Sequence, residues 1–94
     1  MSKHWKPIET EKARRLLRIF AECERLLSLF TLYTPYGEFI CRDWTLVHAV
    51  QRREVIKTEV LEDSAIIKLR FYFDSDFSVS FTVRKGEILY VGID

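Results

Sequence analysis

The chain has no asparagine, one glutamine, one methionine, two prolines, three glycines and two cysteines in 94 residues. Each scarcity removes a class of protein. Cys23 and Cys41 stand far apart and form no CxxC spacing, so neither a disulfide scaffold nor a structural zinc site is expected. They read as buried thiols in a reducing compartment. Gly37, Gly86 and Gly92 are isolated, which leaves no phosphate-cradling loop. No apolar run approaches the roughly 18 residues of a membrane helix. The start, "MSKHWKPIETEK", has no apolar core of a signal peptide, so a cytoplasmic location is expected. Excess charge is also missing. Fifteen Lys and Arg meet 14 Asp and Glu, a net charge of +1, so no global field points to nucleic acid or an anionic membrane. With amide residues rare and Glu, Lys and Arg plentiful, the composition leans towards a thermophilic source.

What is present is a globular core in the making. Hydrophobic residues make up 48% and aromatics 14%, enough for one domain over residues 1–94 without metals or disulfides. Residues 1–6 read as a disordered tail. There is no internal repeat or low-complexity tract.

The stretch "TPYG", residues 34–37, divides the chain. Before it, Ala13, Leu16, Phe20, Cys23, Leu27 and Phe30 recur at steps of three and four, with Leu17, Ile19, Leu26 and Tyr33 widening the stripe. The spacing predicts a long amphipathic helix over 8–32. Pro7 suits its first turn and Thr10 is a second candidate cap. Pro35 disfavours a helical Thr34. Beyond the break, "EFIC" suggests a short strand. Leu46, Val47 and Val50 share a helical face, and Asp43 can cap it, so a short second helix is expected near 43–53. The β-branched Thr45, Val47 and Val50 leave a strand as the alternative there.

From Val55 the period is two, and turn chemistry predicts the register. A three-residue loop at Asp74–Asp76 puts Phe73 opposite Phe77, Phe71 opposite Val79 and Leu69 opposite Phe81. A loop at Arg84–Gly86 puts Phe81 opposite Leu89 and Val79 opposite Val91. A two-residue turn at Asp63-Ser64 puts Val60 by Ile67, Thr58 by Leu69 and Ile56 by Phe71. The three turns agree on one inner face: Ile56, Val60, Ile67, Leu69, Phe71, Phe73, Phe77, Val79, Phe81, Val83, Leu89, Val91 and Ile93. Agreement across levels is what a specified fold shows. The expected class is α+β: a long N-terminal amphipathic helix packed on one face of a mainly four-stranded antiparallel β-meander, with the short second helix beside it.

The same register places Lys57 beside Arg70 on the outer face, two like charges that something anionic would relieve, and puts Glu59 beside Lys68. Tyr72, Tyr90 and Ile88 add apolar area. Lys57, Arg70, Tyr72, Ile88 and Tyr90 therefore form the candidate interaction surface, since interfaces favour Tyr and Arg. A helix of about 24 residues spans roughly 36 Å, against roughly 23 Å for a seven-residue strand. The resulting overhang is a second hint of a partner or a second copy.

No catalytic constellation stands out. Cys41 and His48 could in principle act as nucleophile and base. Asp74 and Asp76 flank Ser75 in a loop where turn chemistry explains them without a metal. No cofactor or metal is expected. The reading is a small non-enzymatic protein-interaction or regulatory domain, with a homodimer among its forms. The alternative is a nucleic-acid-binding domain contacting its ligand through Arg14, Arg18, Lys57 and Arg70. An enzyme with a Cys/His site comes third.

Overall fold

The computed structural model describes residues 4–21, 29–34 and 37–93. In chain order the elements are β1 (Lys6–Pro7), α1 (Thr10–Ala21), β2 (Leu29–Thr34), β3 (Gly37–Arg42), α2 (Asp43–Arg52), β4 (Lys57–Asp63), β5 (Ile66–Tyr72), β6 (Ser78–Arg84) and β7 (Glu87–Ile93). Five strands form an antiparallel sheet in the order β1-β4-β5-β6-β7, and β2 with β3 forms a separate hairpin. The class is α+β, as the two periodicities required. The second helix is present from Asp43, and "EFIC" lies within β3.

Two expectations about the elements need correction. The first helix does not run to Leu32, because Leu29–Thr34 is a strand, paired from Leu29↔Arg42 to Thr34↔Gly37. Phe30, Thr31, Tyr33 and Thr34 are all strand-favouring types. Pairing with Gly37–Arg42 satisfies their backbone groups in a way the helical spacing of Phe30 could not reveal. Cys23, Leu26 and Leu27 lie outside the described residues. The second correction is at the start of the chain. The sheet has five strands rather than four, since Lys6 pairs with Val60 and Pro7 with Glu59. Proline suits this edge position because it has no N–H to donate. Trp5 and Lys6, read as tail, thus lie against the sheet.

The hairpin registers were right in face and partly wrong in position. At the 74–76 loop they hold: Phe71↔Val79 and Leu69↔Phe81 pair, and Phe73 N–H donates to the Phe77 carbonyl at 3.0 Å. The Asp74 carboxylate accepts the Asp76 N–H at 2.7 Å, which ties the loop. The β4–β5 turn is Ser64-Ala65, one residue later than expected, so Val60 faces Leu69 and Thr58 faces Phe71. That slides the pairing by two residues, and an even slip keeps every side chain on its face. In β7 the register shifts at Thr82/Val83, where Val83 pairs with Ile88 and Thr82 with Tyr90. Leu89 is the extra residue of this bulge. Ile88 therefore takes the place beside Val83, while Phe81 pairs with Val91 and Val79 with Ile93, where Leu89 and Val91 were expected.

The core lies between the inner sheet face and the two helices. Ala13 and Leu17 of α1 and Val47 and Val50 of α2 are buried against Val60, Leu69, Phe71, Val79, Phe81, Val83 and Val91. Phe71 and Phe81 meet edge to face, 5.9 Å between centroids at 83°. Full burial of such side chains is worth about 1.5–3 kcal/mol each. Ile19, Ile56, Phe77 and Leu89, all assigned to the core by periodicity, are exposed. Phe77 lies beside Phe73 at the loop end of the sheet, and Ile56 precedes β4, its N–H donating to the Tyr72 carbonyl. Leu89 is displaced by the bulge. α1 is anchored at both ends: the Thr10 and Thr58 hydroxyls lie 2.9 Å apart, and the Phe20 carbonyl accepts the Gly86 N–H in the β6–β7 turn.

Candidate functional site

Side chains alternate across a strand, so the residues between the buried positions share the outer face. The observed pairing sets them in rows. One row is Pro7, Glu59, Arg70, Ser80 and Gly92; a second is Leu61, Lys68, Thr82 and Tyr90; a third is Lys57, Tyr72 and Ser78. The two-residue slip in β4 changes the electrostatics of this face. Arg70 stands beside Glu59, and Lys57 stands beside Tyr72. The expected Lys57–Arg70 neighbour pair is replaced by an ion pair and a cation–aromatic contact.

The contacts form one cluster. Arg70 Nη1 lies 3.6 Å from Glu59 Oε1 and donates to the Tyr72 hydroxyl at 3.2 Å. The Tyr72 hydroxyl in turn donates to Glu59 Oε1 at 2.7 Å. Lys57 Nζ sits 4.4 Å from the centroid of the Tyr72 ring. Arg70 Cζ lies 3.9 Å from the centre of the Trp5 ring, which lies across the face from the N-terminal strand. Both cations are placed for cation–π attraction. Trp5 is the member that sequence reasoning missed. The available signal was a tryptophan two residues before Pro7, in a stretch otherwise read as tail.

Farther along the face, the Tyr90 ring lies over Gly92. A Cβ at Gly92 would come within 3.1 Å of Tyr90 Cε1 and 3.3 Å of Ser80 Oγ. Glycine lets the ring approach the sheet backbone while Tyr90 stays 61% exposed. Of the expected surface, Lys57, Arg70 and Tyr72 are joined in one network, and Tyr90 stands on the same face. Ile88 instead packs partly buried against the core.

At the loop end of this face is an open pocket of about 230 Å³, lined by Arg70, Tyr72, Ser75, Asp76, Phe77 and Ser78. Arg70 closes one wall with a side chain only 25% exposed. Its Nε is sheltered from solvent and has no hydrogen-bond partner.

Arg14 and Arg18 belong to α1, which packs on the opposite, inner side of the sheet, so they share no surface with Lys57 and Arg70. Arg14 Nε donates to the Val50 carbonyl at 2.8 Å and its Nη2 to the Arg53 carbonyl at 2.7 Å. Gln51 Nε2 donates to the Arg14 carbonyl at 3.0 Å, and Arg18 Nη1 donates to Gln51 Oε1. These contacts clamp the C-terminal end of α2, where a cation meets the negative end of the helix dipole.

Cys41 lies on β3 opposite Phe30, its side chain outside the described residues, and His48 is exposed on α2. Among the described residues no three His, Cys, Asp or Glu side chains are grouped to hold a metal ion. Among the same residues no helix is long and apolar enough to cross a membrane. No protein-family model matches the chain, nor does any curated protein or solved structure.

Proposed function

We propose that this protein is a non-catalytic protein-interaction module whose contact surface is the outer sheet face around Arg70, Tyr72 and Tyr90. The observation that carries the reading is the Trp5–Arg70–Tyr72–Lys57 cluster, which Glu59 binds together. Trp, Tyr and Arg are the residue types that supply most interface energy. Here they are held in place before any partner arrives, which lowers the ordering cost of binding. The exposed Tyr90 ring extends the same face. A homodimer through this surface is one form of the proposal.

Single-stranded nucleic acid on the same face is the second reading. It draws on aromatic rings beside Lys57 and Arg70, the combination that stacks bases and meets phosphates. It has less support, because the chain's own cations already stack on the Trp5 and Tyr72 rings, and Glu59 lies among them. A Cys41–His48 enzyme is third, with no oxyanion-stabilising group assigned to it.

The test is capture of partners from an extract of the native source, identified by mass spectrometry, beside light scattering of the free protein. Arg70→Glu and Tyr90→Ala are each expected to weaken capture or self-association about tenfold. Unchanged values for both variants reduce the face to a solvated surface. Binding to single-stranded RNA or DNA that falls steeply with salt selects the second reading, and no binding at about 50 mM salt removes it.

A further inference from the structure

We propose that the surface shared by α1 and the C-terminal end of α2 docks a short acidic segment of a partner protein, with Arg15, Arg18 and Arg52 as its charged contacts and Ile19 as its apolar one. This surface lies on the helix side of the sheet, so the proposal is independent of what the outer face binds. The net charge of +1 hides an uneven distribution. Across residues 10–19 and 50–54 six cations, Lys12, Arg14, Arg15, Arg18, Arg52 and Arg53, stand against two carboxylates, Glu11 and Glu54. The fold brings these segments together. Arg14 donates to the Val50 and Arg53 carbonyls, and Arg18 donates to the Gln51 side chain. Glu11 is already paired with Arg14. Lys12, Arg15, Arg52 and Arg53 are exposed, and among the described residues no carboxylate pairs with them.

Charge complementarity sets the sign of the occupant, and two further features set its class. Guanidinium groups pair with carboxylates through two parallel N–H donors, which gives direction as well as attraction. Ile19 lies one turn beyond Arg15 on the same side of α1 and is 59% exposed. An apolar side chain among cations suits a partner that carries an apolar residue among its carboxylates. The second feature is the size of the basic surface. Because the whole chain is only +1, the molecule outside this surface is net negative. A long polyanion such as a nucleic-acid strand would run past the cations onto that remainder, whereas a segment of a few residues would not. Arg18 is held by Gln51 before a partner arrives, which lowers the ordering cost of binding. Opposite charge on the partner also speeds and orients the encounter.

The probe is the peptide acetyl-Glu-Glu-Leu-Glu-Glu-amide, titrated into ¹⁵N-labelled protein at about 100 mM salt and read by NMR. It is expected to shift the Nε–H resonances of Arg15, Arg18 and Arg52 and the backbone amides around Ile19, leaving those of Arg70 and Tyr72 in place. The same peptide with Gln for every Glu should bind about tenfold more weakly. Arg15→Glu combined with Arg52→Glu should weaken the acidic peptide about tenfold as well, with the unfolding midpoint unchanged, since both side chains are exposed and neither belongs to the Arg14 clamp. Ile19→Ser, the second variant, should weaken it about threefold. Equal binding of the Glu and Gln peptides overturns the proposal. So do the absence of any shift at millimolar peptide, shifts centred on the outer sheet face, full affinity in the double variant, or tighter binding of a uridine decanucleotide than of the peptide at the same salt. Partner capture unaffected by Arg70→Glu and Tyr90→Ala removes the outer-face reading and leaves this one standing. Capture lost in those variants, with no acidic peptide bound at the helices, does the reverse.

Discussion

At Ser64 the backbone takes φ 59, and at Gly86 it takes φ 91, both in the left-handed region. The two turns therefore make opposite predictions. A residue with a Cβ is strained in that region by roughly 1–2 kcal/mol, offset in part by the greater freedom glycine loses on folding. Ser64→Gly is expected to raise stability by about 0.5 kcal/mol in urea unfolding, and Gly86→Ala to lower it by about 1 kcal/mol. A Cβ at Gly86 would meet no atom within 4 Å, so that loss would be backbone strain and not a clash. In the core, Phe81 is fully buried and packs edge to face on Phe71. Phe81→Ala should cost about 3–5 kcal/mol, whereas Ile56→Ser, at an exposed position, should fall within about 0.5 kcal/mol of the parent. Periodicity assigned both residues to the core. Alternation reports which way a side chain points, but not whether anything covers it. Ile56 stands just before β4, at the end of the sheet, and is left exposed.

Among the elements, legibility followed the range of the deciding contacts. The 74–76 hairpin was readable because its loop and the facing phenylalanines lie within a few residues of each other. α2 was readable from three apolar positions and an aspartate at its start. β2 was not, because Phe30 continued a helical spacing and only its pairing with Cys41 on β3 makes it a strand. The two helices are joined by a device no local pattern shows. The Arg14 side chain, 15% exposed, bonds the carbonyls of Val50 and Arg53. Arg14→Ala should lower stability by about 2 kcal/mol, read from urea midpoints. Arg14→Lys should recover less than half of it, since an ammonium cannot reproduce the fork. Weak dependence of this loss on salt would distinguish it from a surface ion pair. Charge alone groups Arg14 with Arg70 as nucleic-acid contacts. In the fold one arginine closes the helix pair, and the other lies across the sheet from it.

For the molecule as a whole, the N-terminal strand ties the start of the chain to the middle of the sheet. Trp5→Ala should destabilise by about 1 kcal/mol through loss of the stack on Arg70. Far-UV circular dichroism and tryptophan fluorescence are expected to report one coincident unfolding transition in the parent protein. An earlier fluorescence change would mean that the strand detaches from the sheet before the core opens. The sequence by itself determined the α+β class, the inner face of the meander and its hairpin at Asp74–Asp76. These depend on side-chain period and on turn residues, both properties of neighbours along the chain. Only the tertiary structure decided which residues meet across the outer face. A two-residue slip leaves every side chain on its side of the sheet, and so leaves the hydrophobic pattern unchanged. It does exchange cross-strand partners, giving Arg70 to Glu59 and Lys57 to Tyr72. Trp5 joined them through an edge strand of two residues, too short for any period to register.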